Sequence, residues 1–270
     1  MNADQQNMST ESSSLPLLVT RQGGIVTWQF NRPQALNALD VPMAQALLTA
    51  AREIAHDRSV RALVMKGSGK AFMAGGDLAT LKINPVQGAA DLLCALNEVA
   101  EILSLLSAPV IAQAHGVAAG GGMSLMLLAD FIWVAEGTRF NLAYANIGTS
   151  CDVGASWSLP RLVGLRNALE IALLSDMLSA DDALRMGLIN RVVPADQLDA
   201  AVQKLAERLA SGPTVALGHM RRLMRSSFDR DLPAQLAAEA AAFNACAQTT
   251  DMQEGMAAFF DKCKPQYTGQ

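Results

Sequence analysis

A glycine triplet at residues 120–122 follows a short apolar run and precedes an apolar segment, 123–129, that predicts a helix. Because glycine has no Cβ, its backbone can approach a ligand closely, and the first turn of a helix presents N–H groups without intrahelical partners. Such a turn can bind a phosphate or an oxygen that becomes negative during a reaction. It can equally be a tight packing contact between a strand and a helix.

A phosphate site is the less favoured interpretation. The lysine and hydroxyl residue of a phosphate-binding loop are absent, because Met123 and Ser124 stand at their positions. The segment H-G-V-A-A-G-G-G also lacks the spacing of a dinucleotide-binding turn. An oxyanion site would need a second backbone donor from elsewhere in the chain.

A second glycine turn provides a candidate for that donor. The segment A-F-M-A-G-G-D-L, residues 71–78, follows an apolar run at 60–66 that predicts a buried strand. Such a turn can present the N–H of Gly76, so that one donor from each turn would hold a single oxygen. We expect the acid of this segment, Asp77, to shape the turn rather than to do chemistry.

The order of elements around the two turns predicts an α/β fold. Strand, glycine turn and helix occur twice, at 60–80 and 109–129, with a long amphipathic helix at 85–106 between them. This order predicts a parallel sheet packed by helices. A β-hairpin at 17–30, a helix at 41–57 capped by Asp40, and a largely helical chain from Ser156 onward complete the prediction.

The composition sets outer limits on function. The 270 residues are 51% hydrophobic and 17% charged, which is ample for a core and a subunit interface, and the net charge of -4 argues against nucleic acid as main partner. The polar residues 1–14 predict a disordered tail, and we expect neither a signal peptide nor a membrane span. Four scattered cysteines and three scattered histidines predict a cytoplasmic protein with reduced thiols and no metal site.

Several segments in this order resemble the crotonase (enoyl-CoA hydratase/isomerase) superfamily over about residues 15–268. They are N-R-P-x-A-L-N-A-L, A-F-x-A-G-G-D-L, P-V-I-A-x-x-x-G-V-A-A-G-G-G, L-P-R-L-V-G, S-A-D-D-A-L-R-M-G-L-I-N-R-V-V-P and E-G-M-A-A-F-F-D-K-C-K-P-Q-Y. The resemblance implies a crotonase (ClpP-like) fold, a spiral of βαβ units with a helical C-terminal domain. We therefore expect a core at 15–210, a helical oligomerisation region at 211–270, and a homotrimer or a hexamer built as a dimer of trimers.

The resemblance also implies a ligand and its site. The substrate would be an acyl-CoA thioester, with no cofactor other than the coenzyme A of that substrate. Gly76 and Gly121 fall on the two oxyanion-hole positions of the family. The implied substrate-binding positions are Ala35, Ala74, Asp77, Leu78, Val117, Gly120, Tyr144 and Lys262. Lys262 falls where a C-terminal lysine reaches the CoA phosphates, and Cys263 replaces an arginine common beside it.

The chain departs from the hydratases of the family at their two glutamates. Hydration of an enoyl-CoA is easiest with two carboxylates, one to activate water and one to protonate Cα. This chain has Ser124 and Tyr144 there, and neither is a base at neutral pH, since tyrosine titrates near ~10. We expect Tyr144 to line an acyl pocket, and Glu98 to lie on a helix flank or, alternatively, to face that pocket as a second acid.

The remaining acid is Asp152, in G-T-S-C-D-V-G-A-S. An aspartate here resembles the base of the dienoyl-CoA and epoxyphenylacetyl-CoA isomerases, and one carboxylate suffices to move a proton between two carbons. The alternative is that Asp152 only caps a helix starting at Val153. Burial would raise its pKa and a helix N-terminus would lower it, and the sequence leaves that balance open.

These features predict an enoyl-CoA double-bond isomerase that stabilises a thioester enolate. The alternatives are a hydratase, an aryl-CoA dehalogenase or thioesterase with Asp152 as nucleophile, and a non-catalytic CoA-binding protein. The dehalogenase alternative rests on a similarity to 4-chlorobenzoyl-CoA dehalogenase around Tyr144 and Asp152. The chain lacks the water-activating histidine of that enzyme, because Asn97 and Glu98 stand where the histidine is expected.

Overall fold

The computed structural model describes residues 15–270, so the predicted tail at 1–14 lies outside the described residues. The strands are β1 (Leu17–Gln22), β2 (Ile25–Phe30), β3 (Ala62–Gly67), β4 (Val110–Ala114), β5 (Val117–Ala119), β6 (Phe131–Ala135), β7 (Arg139–Asn141), β8 (Leu178–Ser179) and β9 (Arg191–Val193).

The α-helices are α1 (Val41–Ala55), α2 (Leu78–Leu81), α3 (Pro85–Leu105), α4 (Gly121–Met126), α5 (Ala155–Leu174), α6 (Ala180–Arg185), α7 (Leu198–Ala210), α8 (Thr214–Arg225), α9 (Leu232–Ala247) and α10 (Thr250–Asp261). Short 3₁₀ turns lie at Pro33–Ala35, Ala145–Ile147, Ala195–Gln197 and Ser227–Asp229. No helix of residues 15–270 combines the length and the apolar character that crossing a membrane would require.

The predicted parallel sheet is confirmed. One sheet has the order β1-β2-β3-β4-β6-β9, in which every pair from β2 to β9 is parallel and the β1–β2 hairpin is antiparallel. A second sheet joins β5, β7 and β8. Because parallel strands end at the same edge of a sheet, the turns after β3 and β4 are brought side by side.

Both faces of the larger sheet are covered by helices. All of β4, V-I-A-Q-A, is buried, which explains why four of its five residues are apolar. On one face, α1 and α3 contribute buried side chains such as Leu47 and Leu96 to the main core. On the other face, α7 packs Val202 and Ala206 against Val64 and Ile111.

The helix after the glycine triplet is shorter and begins earlier than the sequence predicts. The prediction was 123–129, whereas α4 spans Gly121–Met126. Gly121 and Gly122 are already helical, and Gly120 precedes them at φ 48°, a conformation that favours glycine. The expectation placed the glycines before the helix, but two of them form its first turn. The Asp40 cap is confirmed, since its side chain accepts a hydrogen bond from the N–H of Met43.

Asp130 lies outside the helix that follows the glycine triplet. It lies four residues beyond α4 and forms a buried junction with helix α8. Its carboxylate accepts hydrogen bonds from the N–H of Val110 at 2.8 Å, from Arg221 Nε at 2.5 Å and from Arg225 Nη2 at 2.8 Å. Arg221 also donates to the carbonyl oxygen of Leu103 at 2.8 Å. This Asp130 junction therefore ties α8 to the end of α3 and to the start of β4.

The C-terminal helices α9 and α10 are poorly covered. Within α9 only Ala242 is buried, and within α10 only Asp251 and Ala258. Their large apolar side chains are mostly exposed, namely Leu232, Leu236, Phe243, Met256, Phe259 and Phe260. A groove of about 650 Å³ lies between α8, α9 and α10.

Replacing Arg221 with methionine should destabilise the fold strongly, by about 3–5 kcal/mol, because removing one partner of a buried ion pair leaves the other charge uncompensated. The side chain of Arg221 is only 6% exposed and that of Asp130 14%. Urea unfolding followed by circular dichroism measures the change.

Arg52→Met is the matched control. Arg52 pairs with Glu98 on the protein surface, and 60% of the Arg52 side chain is exposed. Its replacement should therefore change the unfolding midpoint little. Equal effects of the two substitutions would contradict the importance assigned to the Asp130 junction.

Candidate active site

The two glycine turns pack on each other through their backbones. Met73 donates its N–H to the carbonyl oxygen of Val117 at 3.1 Å and accepts from the N–H of Ala119 at 2.9 Å. A Cβ on Gly75 would lie 3.1 Å from the oxygen of Ala119, and one on Gly122 would lie 2.5 Å from the oxygen of Met73. Side chains at these two glycines would push the turns apart.

The N–H groups of Gly76 and Gly121 have no acceptor among residues 15–270. Gly121 is the first residue of α4, where N–H groups lack intrahelical partners. On either side of Gly76, Gly75 O accepts from Leu39 N–H at 2.7 Å and Asp77 N–H donates to Leu39 O at 2.8 Å. The backbone of Leu39 thus bonds to the residues before and after Gly76, and the N–H of Gly76 itself stays available.

Both glycines line one cavity of about 230 Å³. Most of the wall is apolar, from α2, α3 and the segment before α1, including Leu39, Leu78, Leu81, Leu92 and Leu96. The remaining side is formed by residues 143–152, which include Tyr144 and Asp152. The structure therefore places two free N–H donors and one carboxyl group around the same apolar space.

Asp152 does not cap the following helix. Helix α5 begins at Ala155, its N-cap is Gly154 in the left-handed conformation, and no side chain caps it. Instead, the Asp152 carboxyl lies beside the turn that carries Gly121, with Oδ1 3.8 Å from the point where a Cβ on Gly121 would lie. The capping interpretation is therefore wrong.

Burial decides the pKa question that the sequence left open. Withdrawal from water raises the pKa of the Asp152 carboxyl above its usual range, while a hydrogen bond from Tyr144 acts in the opposite direction. A carboxyl with a raised pKa is a better proton acceptor than an ordinary aspartate, which suits a general base.

Tyr144 does more than line the cavity, which the sequence analysis missed. Its phenol donates a hydrogen bond to Asp152 Oδ1, and its oxygen lies 2.7 Å from Ser124 Oγ. Burial and the Asp152 carboxylate raise the pKa of Tyr144 well above its usual range, so the phenol keeps its proton. The available signal was that both hydratase glutamate positions carry hydroxyl side chains, which can bond to each other and to a carboxylate.

The expected role of Asp77 as a residue that shapes its turn is confirmed. Its side chain caps α2 by accepting from the N–H of Thr80 at 3.2 Å, and it pairs with Arg32 at 2.9 Å. The bond from Arg32 lowers the pKa of Asp77. The pair with Asp77 fixes the N-R-P segment to the second glycine turn, and Arg32 also pairs with Asp40 at 3.1 Å.

A buried amide, that of Asn37, adds to this attachment. Asn37 has φ 59° and is fully buried, and its Nδ2 donates to the carbonyl oxygens of Ser68 and Ala71 at 2.9 and 2.8 Å. The sequence analysis quoted this asparagine within the N-R-P motif but assigned it no role. The available signal was the residue type, because asparagine is enriched in the left-handed conformation.

The other implied binding positions divide into two groups. Ala74, Leu78 and Gly120 line the cavity. Ala35 does not line it, but the next residue, Leu36, accepts the N–H of Ala74 through its carbonyl oxygen. Val117 lies in β5 and Lys262 at the exposed end of α10, and neither lines the cavity.

Glu98 is not a second acid in the cavity. Its carboxylate forms two hydrogen bonds with Arg52, at 2.6 and 2.7 Å, and this partner lowers its pKa. Glu98 is not among the cavity-lining residues, so the expectation that it could face the acyl pocket is wrong. Within residues 15–270, no cluster of three or more histidine, cysteine, aspartate or glutamate side chains could hold a metal ion.

The model of the family described as enoyl-CoA hydratase/isomerase matches residues 20–270. The chain belongs to this family. A relative named 1,2-epoxyphenylacetyl-CoA isomerase, from Escherichia coli (strain K12), is 34% identical, with 92% of this chain and 96% of the relative covered. A relative named probable enoyl-CoA hydratase, from Rhodobacter capsulatus, is 37% identical, with 92% and 95% covered.

A solved structure has the same fold. It is a putative enoyl-CoA hydratase from Streptomyces coelicolor A3(2), with a TM-score of 0.90, 34% identity and 94% of each chain covered. The expected α/β crotonase fold is thereby confirmed. The relatives include proteins named as an isomerase and as hydratases, so family membership establishes an enzyme of the hydratase/isomerase family without choosing between the two reactions.

Gly122→Ala tests the contact between the two turns of this enoyl-CoA hydratase/isomerase family member. At an ordinary helix position this change stabilises a protein by up to about 1 kcal/mol. Here the new Cβ would collide with Met73, so we expect a loss of about 1–3 kcal/mol in unfolding free energy, measured by urea denaturation.

Gly76→Ala is the control for this substitution. A Cβ at Gly76 would meet only the end of the Leu81 side chain, at 3.5 Å, so it should leave stability nearly unchanged. A stable Gly122→Ala protein would show that the turns can separate freely.

Asp152→Asn should stabilise the protein relative to the native chain as pH rises. The folded-state pKa of Asp152 is raised, so the native chain loses stability between the unfolded pKa of an aspartate, about 3.9, and the higher folded pKa. Asparagine does not ionise, so the difference in melting temperature should grow in its favour from pH 4 towards neutrality.

Asp57→Asn should behave in the opposite sense. Bonds from Ser59 and Arg21 lower the pKa of Asp57 to about 2, so its ionisation stabilises the fold as pH rises. A pH-independent difference for Asp152→Asn would contradict the raised pKa. Thermal unfolding at several pH values measures both variants.

Proposed function

We propose that this enzyme of the hydratase/isomerase family is an enoyl-CoA double-bond isomerase. The N–H groups of Gly76 and Gly121 would form the oxyanion hole for the thioester oxygen, and Asp152 would move the proton. The observation that carries the proposal is that two N–H groups, which have no acceptor in the described part of the chain, and one carboxyl with a raised pKa surround the same apolar cavity.

The proposed reaction has two proton transfers and balances without an external reagent. Asp152 takes a proton from Cα of a 3-enoyl-CoA, and the electron pair of that C–H bond moves towards the thioester oxygen to give a dienolate. Asp152 then returns the proton to Cγ, where the electron pair of the Cβ–Cγ double bond forms the new C–H bond. The carbon–carbon pair of the enolate moves to form the Cα–Cβ double bond, and the pair on the oxygen restores the thioester carbonyl. Two fixed donors stabilise the negative oxygen, and the loss of one such donor typically costs about 3–4 kcal/mol in the barrier.

The two hydroxyls at the hydratase glutamate positions favour isomerisation over hydration. Ser124 is fully buried, and Tyr144 keeps its proton because its pKa is raised. Neither group can activate a water molecule as a carboxylate does. Hydration by Asp152 alone is the second candidate, and it is supported by the relatives that are named as hydratases.

We also propose that the substrate is held as the family resemblance implies. Ala35, Ala74, Asp77 and Leu78 would meet the adenine and pantetheine of coenzyme A. The proposed reaction needs no cofactor other than the coenzyme A of the substrate, because its electron pairs move only within the thioester.

A homotrimer or a dimer of trimers is proposed for the assembly. The exposed phenylalanines of α9 and α10, Phe243, Phe259 and Phe260, are 64%, 78% and 79% exposed and lie beside the open groove of these helices. Exposed apolar surface of this kind marks an interaction site. In such an assembly, Lys262 at the end of α10 would reach the CoA phosphates of a neighbouring subunit, since it does not line the cavity of its own chain.

The proposal is tested by assaying the purified protein on a 3-enoyl-CoA and on crotonyl-CoA, a 2-enoyl-CoA. We expect conjugated thioester absorbance to appear from the first substrate and to persist with the second. Asp152→Asn should lower kcat on the 3-enoyl-CoA by about 10²–10⁴-fold, the usual contribution of a general base.

Asp176→Asn, an exposed aspartate after α5, is the matched control and should retain the native rate. Loss of crotonyl-CoA absorbance with formation of hydroxyacyl-CoA would instead identify a hydratase. Inactivity on both substrates would direct the test to aryl-CoA substrates, for which Asp152 would be a nucleophile, and then to CoA binding alone.

A further inference from the structure

Two buried hydroxyl groups lie behind the Asp152 carboxyl. Ser124 is 0% exposed and Tyr144 only 7%. Ser124 belongs to α4 and donates its backbone N–H to Gly120 at 3.0 Å, so it lies one turn beyond Gly121 on the same helix. Tyr144 lies in the loop that leads to Asp152 and lines the same cavity. The two side chains therefore connect the helix of the oxyanion turn to the acid across the cavity wall.

The hydrogen bonds between these groups have a defined direction. An ionised carboxylate can only accept, so the Tyr144 phenol donates to Asp152 Oδ1. The phenol oxygen can then accept from Ser124 Oγ, 2.7 Å away, which is closer than the other acceptor of Ser124, the carbonyl of Gly120 at 3.3 Å. Because the phenol keeps its proton, this order persists at neutral pH.

The two oxygens of Asp152 are consequently not equivalent. Oδ1 accepts the bond from Tyr144, whereas Oδ2 has no hydrogen-bond donor within residues 15–270. When the carboxyl takes a proton on Oδ2, Oδ1 remains an acceptor, so the bond from Tyr144 survives the protonation. The carboxyl can thus gain and lose a proton without rotating.

We propose that Ser124 and Tyr144 are positioning residues that fix Asp152 through Oδ1 and leave Oδ2 as the atom that takes and returns the proton. The inference rests on the proposed function of Asp152 as the base. Since Ser124 and Gly121 belong to the same short helix, this hydroxyl chain also fixes the distance between the base and one N–H of the oxyanion hole. Tyr144 and Ser124 would act through Asp152 and would not themselves transfer a proton to the substrate.

The test compares Tyr144→Phe and Ser124→Ala with the native enzyme in the assay on a 3-enoyl-CoA. Tyr144→Phe removes only the hydroxyl, so we expect kcat to fall by about tenfold, the equivalent of one hydrogen bond to a charged group, with KM changed less than about twofold. The acidic limb of the kcat profile should move to higher pH, because the carboxylate loses the bond that favours its ionised form. Ser124→Ala should cause a smaller shift in the same direction.

Tyr267→Phe is the matched control, at the other tyrosine of the chain, near the C-terminal end. It should leave kcat and the pH profile unchanged. A tenfold loss in Tyr144→Phe with an unmoved pH profile would show a merely structural role and would overturn the inference.

A readout independent of turnover is the carboxyl ¹³C titration of Asp152, with the resonance assigned by its loss in Asp152→Asn. The pKa should be higher in Tyr144→Phe than in the native protein, and equal values would overturn the inference. Native-level isomerisation by Asp152→Asn would contradict the proposed function itself. An inactive Asp152→Asn together with an unaltered Tyr144→Phe would contradict the positioning role alone.

Discussion

The site depends on a close contact between two backbone turns, at which two glycines leave room for the neighbouring turn. Gly75 faces the carbonyl oxygen of Ala119, and Gly122 faces that of Met73. The contact requires β3 and β4 to be parallel neighbours, since only then do the turns that follow them leave the sheet at the same edge. The buried strands, the covering helices and the glycines therefore act together to place the N–H groups of Gly76 and Gly121 at the same cavity.

Other contacts protect this arrangement from two sides. Asn37 and Arg32 fix the N-terminal segment to the turn that carries Gly76. Behind the turn that carries Gly121, the Asp130 junction joins the residues after α4 to helix α8 and to the start of β4. These charged and amide groups are partly or fully buried, and each has partners, which is the condition under which buried polar groups are tolerated.

Much of this could be predicted from the sequence, because it depends on local patterns. The apolar runs, the glycine turns and the amphipathic helix at 85–106 were sufficient for the parallel sheet and for the cavity edge with Gly76 and Gly121. What could not be predicted depends on side-chain direction. Glu98 binds Arg52 and does not face the cavity. Asp130 binds arginines that lie about 90 residues away in the sequence. Asp152 does not cap helix α5, because the N-cap position is occupied by Gly154.

The same limit applies to Tyr144, whose sequence position predicts only an aromatic that lines a pocket. Its ring does line the cavity, but its hydroxyl bonds to Asp152, eight residues later in an irregular segment. No helical or strand periodicity relates two such positions, so only the folded chain shows the bond.

A base with a single free oxygen has a consequence for the stereochemistry of the proposed reaction. In that reaction the two N–H donors would hold the plane of the dienolate in one orientation, and Oδ2 of Asp152 would approach it from one side. The hydrogen removed from Cα and the hydrogen delivered to Cγ would then share one face, which makes the allylic shift suprafacial. Because the carboxyl lies in a largely apolar cavity, its proton would exchange slowly with water. The hydrogen delivered to Cγ would then often be the one removed from Cα, so a deuterium label at Cα of the substrate would be found at Cγ of the product.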